Sequence, residues 1–504
     1  MEAIPGATTG LKLLLDTNAF IALEPVSTAI ETGLQHGANL ARLAAEGGHG
    51  LYLHEATQRD FARDGDEARR RARSALARKY AVLSGIPRST VTDLVRLLEL
   101  PAAPLVGSND GVDLEMLAAV ATAAVDYLVT DDGRLRARAR RAGLAEFVLP
   151  LAEAVQLLRD LSPQPVPPPP AVEHVASYQL DPADPIFDSL RADYAPQFDA
   201  WFADVRRQHR PAWLIHDEGS YAGVMIVKDE TDSPFGLPGK VLKVSTLKVT
   251  NQAHGRRYGE LLLKTLFTYA HSHGHDSIYV TVFAKHATLI ELLLAFGFRD
   301  HAISKLGEQV LVKHRRPQDG DAHDDPLSFH TAYGPPAVDT RAPCFVVPVE
   351  PRWHDLLFPE YPDQQSLWTG ENPFGNALRK AYLCNAATRQ VRPGSTLLFY
   401  RSHTSPAVTV VGVAEQVLVS RSPEEIARHV GRRTVYTFDD IAERCGAARP
   451  VLTILFRQDR LLEPPWSRRE LDNAGVLNGH PQSITEVRNE EGRHWLQHRL
   501  NAPR

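Results

Sequence analysis

Short apolar runs alternate with longer amphipathic stretches through the first third of the chain. Leu11 to Leu15 is apolar and ends at Asp16, and Leu51 to Leu53 and Tyr127 to Val129 repeat the pattern. Runs this short and continuous predict strands buried on both faces of a parallel sheet. Ala-, Leu- and Arg-rich helical stretches lie between and after them, which predicts an α/β layer with helices on both faces. Further on, Trp213–Ile215 and Gly223–Lys228 flank Asp217-Glu218-Gly219-Ser220, a hairpin signal. A long alternating strand over Val241–Thr250, a helix near Glu260–His271 and a strand over Ser277–Phe283 follow. In the last third strands outnumber helices: Leu397–Tyr400, Val408–Val413 and Val451–Phe456 are β-branched or aromatic runs bounded by turn residues.

Two breaks divide this pattern. Pro163 to Pro170 reads PQPVPPPP, a stiff polyproline-type spacer, and His314 to Asp325 reads HRRPQDGDAHDD, polar and without apolar periodicity. The expected organisation is α/β multidomain: a domain over 1–162, a proline-rich linker over 163–173, a domain over 174–313, a linker over 314–340 and a domain over 341–504. The total of 504 residues suits about three domains. No internal repeat relates them.

Composition narrows the classes. Hydrophobic content of 43% and charged content of 23% are those of a soluble globular chain. The apolar runs are too short to span a bilayer, and the N-terminus lacks a signal-peptide pattern, so a cytoplasmic location without membrane contact is expected. Cys344, Cys384 and Cys445 are scattered and odd in number. They suit a reducing compartment, form no zinc spacing, and read best as small buried hydrophobes. Net charge is −5, so any nucleic-acid contact must use local basic patches. Arg69, Arg70, Arg71, Arg73, Arg78 and Lys79 form one candidate, and Arg134, Arg136, Arg138, Arg140 and Arg141 another. Each is either such a contact or a solvated helix face.

The acids of the first domain carry chemistry. In open parallel sheets, ligands bind beyond the carboxyl ends of the strands. Asp16 ends the first strand and Asp132 follows Tyr127–Val129. Asp113 begins a helix with Leu114, Leu117 and Ala118 on its apolar face, and Asp60 follows Leu51–Leu53. Four converging carboxylates repel one another, so they call for a hard divalent cation, Mg²⁺ or Mn²⁺, which can activate water and stabilise a phosphoryl oxygen. The competing reading is that Asp16 and Asp113 only cap helices. Glu115 is expected to point off the face of Asp113 into solvent, and Asp131 either assists Asp132 or shapes the turn.

Leu14-Leu15-Asp16-Thr17-Asn18 and Leu128-Val129-Thr130-Asp131-Asp132 resemble the first and last motifs of the PIN-domain metal-dependent ribonucleases. Asp113-Leu114-Glu115-Met116-Leu117-Ala118-Ala119 is similar to the third, and Leu51 to Phe61 to the second, with Asp60 preferred over Glu55 at its acidic position. The resemblance covers roughly residues 11–160. It implies single-strand RNA cleavage, often as a toxin countered by an antitoxin, with Asp16, Asp60, Asp113 and Asp132 as catalytic metal ligands.

In the second domain the strand Val241–Thr250 runs into Asn251-Gln252-Ala253-His254-Gly255-Arg256-Arg257-Tyr258-Gly259-Glu260 and then a Leu-rich helix. A strand–turn–helix with small residues presents backbone N–H groups and a positive helix end to a pyrophosphate, unless it is an ordinary turn. With Ser277–Phe283 and Leu289–Phe298, the order resembles the GNAT acetyltransferases over about residues 175–313. The resemblance implies acetyl-CoA as cofactor and acetyl transfer to an amine. Leu247 and Val249 would then hold the pantetheine arm, and His254, Gly255, Arg256, Arg257 and Gly259 the pyrophosphate. Arg257 replaces the family's first loop Gly, Leu293 stands at the usual Tyr, and His286 stands at a usual Asn. His286, Glu291 and Tyr279 are the available acid–base candidates, with His286 and Glu291 taken as catalytic.

In the third domain, Trp353, Trp368, Phe374, Tyr382 and Tyr400 lie among Arg379, Lys380 and amides. Aromatics interleaved with cations suit base stacking and phosphate neutralisation; the alternative is a normal barrel core with surface charge. Arg392–Tyr400 followed by Val408–Val413 looks like the PUA-like superfamily, including EVE- and ASCH-type modules, over about 341–487. That resemblance implies a β-barrel reader, with Trp368, Arg379, Lys380 and Tyr400 as nucleic-acid contacts. The chain is therefore expected to act on RNA, tRNA included, through a nuclease and an N-acetyltransferase, in a toxin-like or defensive role. The alternatives are an acetyltransferase of a protein or small-molecule amine with docking domains, and a non-enzymatic sensor of RNA and acetyl-CoA. A homo-oligomer is a further expected assembly.

Overall fold

The computed structural model describes residues 10–24, 34–57, 65–100, 108–161, 172–217, 220–250, 257–317, 325–359, 377–402 and 406–501. Asp60, His254, Gly255, Arg256 and Trp368 lie outside the described residues. The chain is a mixed α/β multidomain protein, and it divides into two compact units. The first comprises 1–164 with 420–432 and 436–447; the second comprises 165–419, 433–435 and 448–504.

The first unit is built on a five-stranded sheet in the order 3-2-1-4-5 along the chain. All four ladders are parallel. Its central strand Lys12–Leu15 is flanked by Gly50–His54 and Tyr127–Val129. Leu13, Leu14 and Leu15 are fully buried, as a strand covered on both faces requires. Helix Asn109–Ala121 supplies Leu114, Leu117 and Ala118 to the same core. A distant segment completes this unit. Helices Pro423–Val430 and Phe438–Cys445 belong to it, with the Tyr127 hydroxyl donating to the carbonyl of Arg428 at 3.0 Å. Arg428 lies over the Phe147 ring, and His49 meets Phe438 edge-on.

The second unit holds two sheets. One has seven strands. Val172–Ala176, Pro211–Asp217, Ser220–Glu230 and Val241–Val249 form an antiparallel run. Ser277–Val282 then joins Val241–Val249 in a parallel ladder, and Gln309–His314 and Arg299–Ile303 close the sheet antiparallel. Helix Tyr258–Ser272 packs Leu262, Leu263, Leu266, Phe267 and Ala270 on this sheet, an i, i+1, i+4, i+5, i+8 stripe.

The other sheet has six strands, ordered Arg379–Cys384, Val451–Ser467, Ala407–Ser420, Thr396–Arg401, Cys344–Val349, Thr485–Glu486. Among the described residues its two edge strands do not pair with each other, and the expected barrel is not seen closed there. The segment expected as a linker over 314–340 includes a helix, Pro326–Tyr333, capped by Asp325 through the Ser328 amide at 2.8 Å. His330, Ala332, Tyr333 and Val338 are buried, so this stretch is core rather than spacer.

These two sheets are bolted together through buried polar groups. Glu260, in the first turn of helix Tyr258–Ser272, accepts from the amides of Leu378 and Arg379 at 3.1 and 3.2 Å. Arg457 donates to the carbonyl of Ala295 at 2.8 Å. Lys313 is fully buried and donates to the carbonyls of Phe296, Thr331 and Ala332 at 2.8–3.0 Å. Burial, then the neighbouring arginines, hold its ammonium well below the usual lysine range.

Candidate active site

The parallel pair at the centre of the seven-stranded sheet is short. Its ladder runs from Val241 opposite Ser277 to Val244 opposite Val280 and stops there. Val241–Val249 continues along Ser220–Glu230, pairing Leu247 with Met225 and Val249 with Gly223. The register shifts between Ile226 and Val227, which leaves Ser245 as an extra residue. A bulge at that point bends the strand away from its parallel neighbour and opens a gap between them. Leu247 and Val249, expected to hold a pantetheine arm, lie on the diverging stretch.

The helix that follows, Tyr258–Ser272, starts at Arg257, which adopts φ +59° and makes no side-chain capping bond. The left-handed backbone is what a Gly would take at low cost, so this Arg carries a Gly conformation. Its guanidinium turns to Glu260, 2.5 Å away, and only 15% of the side chain is exposed. Arg257 thus braces the helix start instead of projecting from it. A Cβ at Gly259 would stand 2.9 Å from Leu292 Cδ2, so this Gly lets helices Tyr258–Ser272 and Ala287–Ala295 approach. The amide end of the helix offers N–H groups and a positive dipole to an anion.

Charged groups gather at the diverging ends. Asp193 ends the helix Asp188–Asp193 and is nearly buried. His286 Nε2 stands 2.9 Å from its Oδ2, and the Lys285 ammonium donates to its Oδ1. Burial opposes the charge, but the bonds to Lys285 and His286 hold the Asp193 carboxyl below its ordinary range. Lys248, on the other diverging strand, donates to the Ser189 hydroxyl. Burial lowers its ammonium against the pull of Asp193 and Asp188. Tyr194 donates to Glu308 at 2.5 Å and packs on Phe283, and burial with that bond raises its phenol.

The other acid–base candidates fare differently. Tyr279 is fully buried and donates to Glu230 at 2.7 Å, which, after burial, raises its phenol. It is a core residue. Glu291 sits half-buried on helix Ala287–Ala295. Leu293, at the position expected for a Tyr, is buried. Asp193 was not among the residues singled out from the sequence; it lies 93 positions from His286, beyond any local signal.

Residues 176–298 match the acetyltransferase (GNAT) family. This stretch is a GNAT domain. Solved structures similar to parts of the chain include an N-acetyltransferase from Staphylococcus aureus Mu50. It is 16% identical and covers 28% of this chain and 96% of its own, with a TM-score of 0.23. Another is yncA from Salmonella typhimurium, solved with its cofactor acetyl-CoA. It is 15% identical and covers 30% and 98%, with a TM-score of 0.23. A third is ASCH from Zymomonas mobilis, 12% identical and covering 32% and 96%, with a TM-score of 0.24. No curated protein matches the chain. The gap between the parallel strands, the amide end after it and the Asp193–His286 pair all belong to the GNAT domain or its edge. The diverging strand and the helix start are the elements that would face an acetyl-CoA arm and pyrophosphate, and the Arg257 guanidinium is paired there with Glu260.

In the first unit the acids meet at the carboxyl ends of the parallel strands. Asp16 caps helix Thr17–Leu23 and accepts from the Thr17 amide at 2.6 Å, Asn18 Nδ2 at 2.8 Å and the Thr130 hydroxyl at 2.7 Å. Asp132 caps helix Gly133–Arg141 through the amides of Arg134 and Leu135 at 2.6 and 3.1 Å. Asp113 pairs with Arg138 at 2.5 Å, and Arg138 also reaches Asp110. Burial raises the Asp113 carboxyl to about 6 against the pull of Arg138, and Asp16, Asp132 and Asp110 add to the rise. Three of the expected acids therefore do converge. They are not arranged as metal ligands: among the described residues no three His, Cys, Asp or Glu side chains are grouped to hold a metal ion. Among the described residues Asp16 and Asp132 cap helices and Asp113 pairs with Arg138, while Asp60, the fourth acid expected to hold Mg²⁺ or Mn²⁺, lies outside them. Glu55 is exposed, Glu115 is half-buried beside His54 rather than in solvent, and Asp131 accepts from the Leu151 amide at 3.0 Å.

The nucleic-acid contacts expected in the third part of the chain are also reassigned. Lys380 is fully buried, donates to the carbonyl of Leu357 and lies over Phe358. Tyr400 is fully buried with its hydroxyl 3.3 Å from His480 Nδ1. Arg379 forks onto Glu415 at 2.9 and 2.6 Å, where Arg457 joins at 3.0 Å. Burial opposes ionisation of Glu415, yet the arginines hold its carboxyl well below the usual range. All three side chains hold the sheet together.

Proposed function

We propose that the protein is an acetyl-CoA-dependent N-acetyltransferase. The observation that carries this reading is the short parallel ladder at Val241–Val244, after which the two strands part beside the start of helix Tyr258–Ser272. Leu247 and Val249 would hold the pantetheine arm, and the amides at the start of helix Tyr258–Ser272 the pyrophosphate, with Arg256 adding charge. Acetyl-CoA, when bound, supplies an activated acetyl group. The chain's own part is to hold it in the strand gap, shed water from the thioester and remove a proton from the incoming amine. Isothermal calorimetry with acetyl-CoA tests this. We expect saturable one-site binding that weakens at least about tenfold on Arg256→Glu. Absence of binding removes the reading.

A second reading, RNA cleavage by the first unit, is favoured by one observation: Asp16, Asp113 and Asp132 gather at the carboxyl ends of the parallel strands, with Asp110 on the same arginine as Asp113. Carboxylates that repel one another call for a cation, a role Arg138 fills as the chain is arranged. Labelled RNA with Mn²⁺ is the assay; cleavage that persists in both Asp16→Asn and Asp113→Asn sinks it.

A further inference from the structure

We infer that Asp193 and His286 form the proton-transfer dyad of the GNAT domain, His286 as general base and Asp193 as the residue that positions it. The inference rests on the acetyltransferase reading. It starts from a deficit: the acid–base Tyr position is Leu293, which is buried, and Tyr279 is locked on Glu230 inside the core. The reaction still requires a group to take a proton from the amine.

His286 is placed for that task. It follows the strand Ser277–Val282 and opens helix Ala287–Ala295, on one side of the gap where the parallel strands part. Lys248 is the penultimate residue of the strand on the other side. Asp193 stands between them, bonded to Lys285 and His286 and close enough to Lys248 to act on its charge. The helix Asp188–Asp193 thus bridges the two banks of the gap. The His286 ring is 39% exposed, whereas Asp193 is 9% exposed. One ring nitrogen faces a shielded carboxylate, and the ring itself remains accessible to a substrate.

The tautomer follows from this arrangement. A carboxylate accepts only, so Nε2 carries the hydrogen and Nδ1 the lone pair. Nδ1 takes a proton from the amine as the new carbon–nitrogen bond forms and the thioester carbon–sulfur bond breaks. The imidazolium, steadied by Asp193, returns that proton to the departing thiolate. Amine and thioester become amide and thiol with nothing left over. The charged groups around His286 are Lys285 on its own loop, Asp193 and Asp188 on the bridging helix, Lys248 on the opposite strand, and Glu308, reached through Tyr194.

Two measurements on the full chain test the dyad. In the first, diethyl pyrocarbonate modification of His286 is followed by mass spectrometry with and without acetyl-CoA. We expect acetyl-CoA to slow it severalfold; an unchanged rate places His286 away from the transfer site and overturns the dyad. In the second, CoA release is followed with a thiol reagent, using a synthetic peptide pool bearing free α- and ε-amines. His286→Ala should lower kcat by about 10²-fold or more, with acetyl-CoA affinity by calorimetry unchanged and partial rescue by added imidazole. Asp193→Asn should lower kcat too, and the double variant should be no worse than His286→Ala alone. Additive losses, or full turnover by His286→Ala, overturn the dyad while leaving acetyl-CoA binding intact. Binding without turnover of any peptide overturns it as well. Failure of the wild-type chain to bind acetyl-CoA instead removes the reading on which the dyad rests.

Discussion

Asp113→Asn offers a sharp test of the electrostatics in the first unit. Asp113 is lifted from 3.8 to about 6, by burial first and by Asp16, Asp132 and Asp110 after the opposing effect of Arg138. A carboxyl that holds its proton more tightly in the folded chain stabilises the fold only while protonated. That contribution is complete below about pH 4 and is lost as pH rises through 6. At pH 7 the ionised carboxylate then weighs against folding by up to about 3 kcal/mol, two pKa units at roughly 1.4 kcal/mol each. Asn is the same shape and cannot ionise, and Arg138 keeps Asp110 as a partner. Asp113→Asn is therefore expected to stabilise the first unit by about 1–3 kcal/mol at pH 7.5 and to change little below about pH 4. The full chain must be used, since helices Pro423–Val430 and Phe438–Cys445 belong to this unit. With two compact units a single global transition is not a safe readout. Native-state hydrogen exchange at the amides of Tyr127–Val129 and Asn109–Ala121 reports the unit directly. Faster exchange in Asp113→Asn at pH 7.5 would refute the reasoning, because it would mean the Arg138 pair outweighs burial and repulsion together.

Other outcomes follow from the second unit. Gly297→Ala places a Cβ 1.9 Å from the Thr331 carbonyl oxygen at φ +83°, so a loss of about 3 kcal/mol or more in denaturant unfolding is expected. Glu260→Ala removes the acceptor of the Leu378 and Arg379 amides and the Glu260 side of the Arg257 ion pair, for about 3–5 kcal/mol, and calorimetry should show weaker acetyl-CoA binding as the helix start loosens.

Much of the local architecture was legible in the sequence. Continuous Leu runs ending in Asp gave the parallel strands of the first unit, and the acids at their ends do approach one another. The alternation over Val241–Thr250 and the Leu stripe after it located the strand and helix of the GNAT domain to within a residue or two. These are signals of period 2 and 3.6, carried by neighbours in the chain, and local sterics and burial fix them.

The rest depends on contacts between distant residues. Arg379, Lys380 and Tyr400 read as surface cations and an aromatic, yet Glu415, the Leu357 carbonyl and the sheet interior take them. Polarity shows that a side chain needs a partner and is silent on whether the partner is water, RNA or protein. Residues 314–340 looked like linker because helix Pro326–Tyr333 is too short to show a period, and the helices of 420–447 gave no sign of joining the first unit. Asp193 lies too far from His286 along the chain for any spacing rule to join them. The sequence by itself determined the elements and the kinds of chemistry on hand. Tertiary structure decided which charges meet: burial makes an unpaired charge costly, so each buried one settles on whatever partner the fold brings within reach.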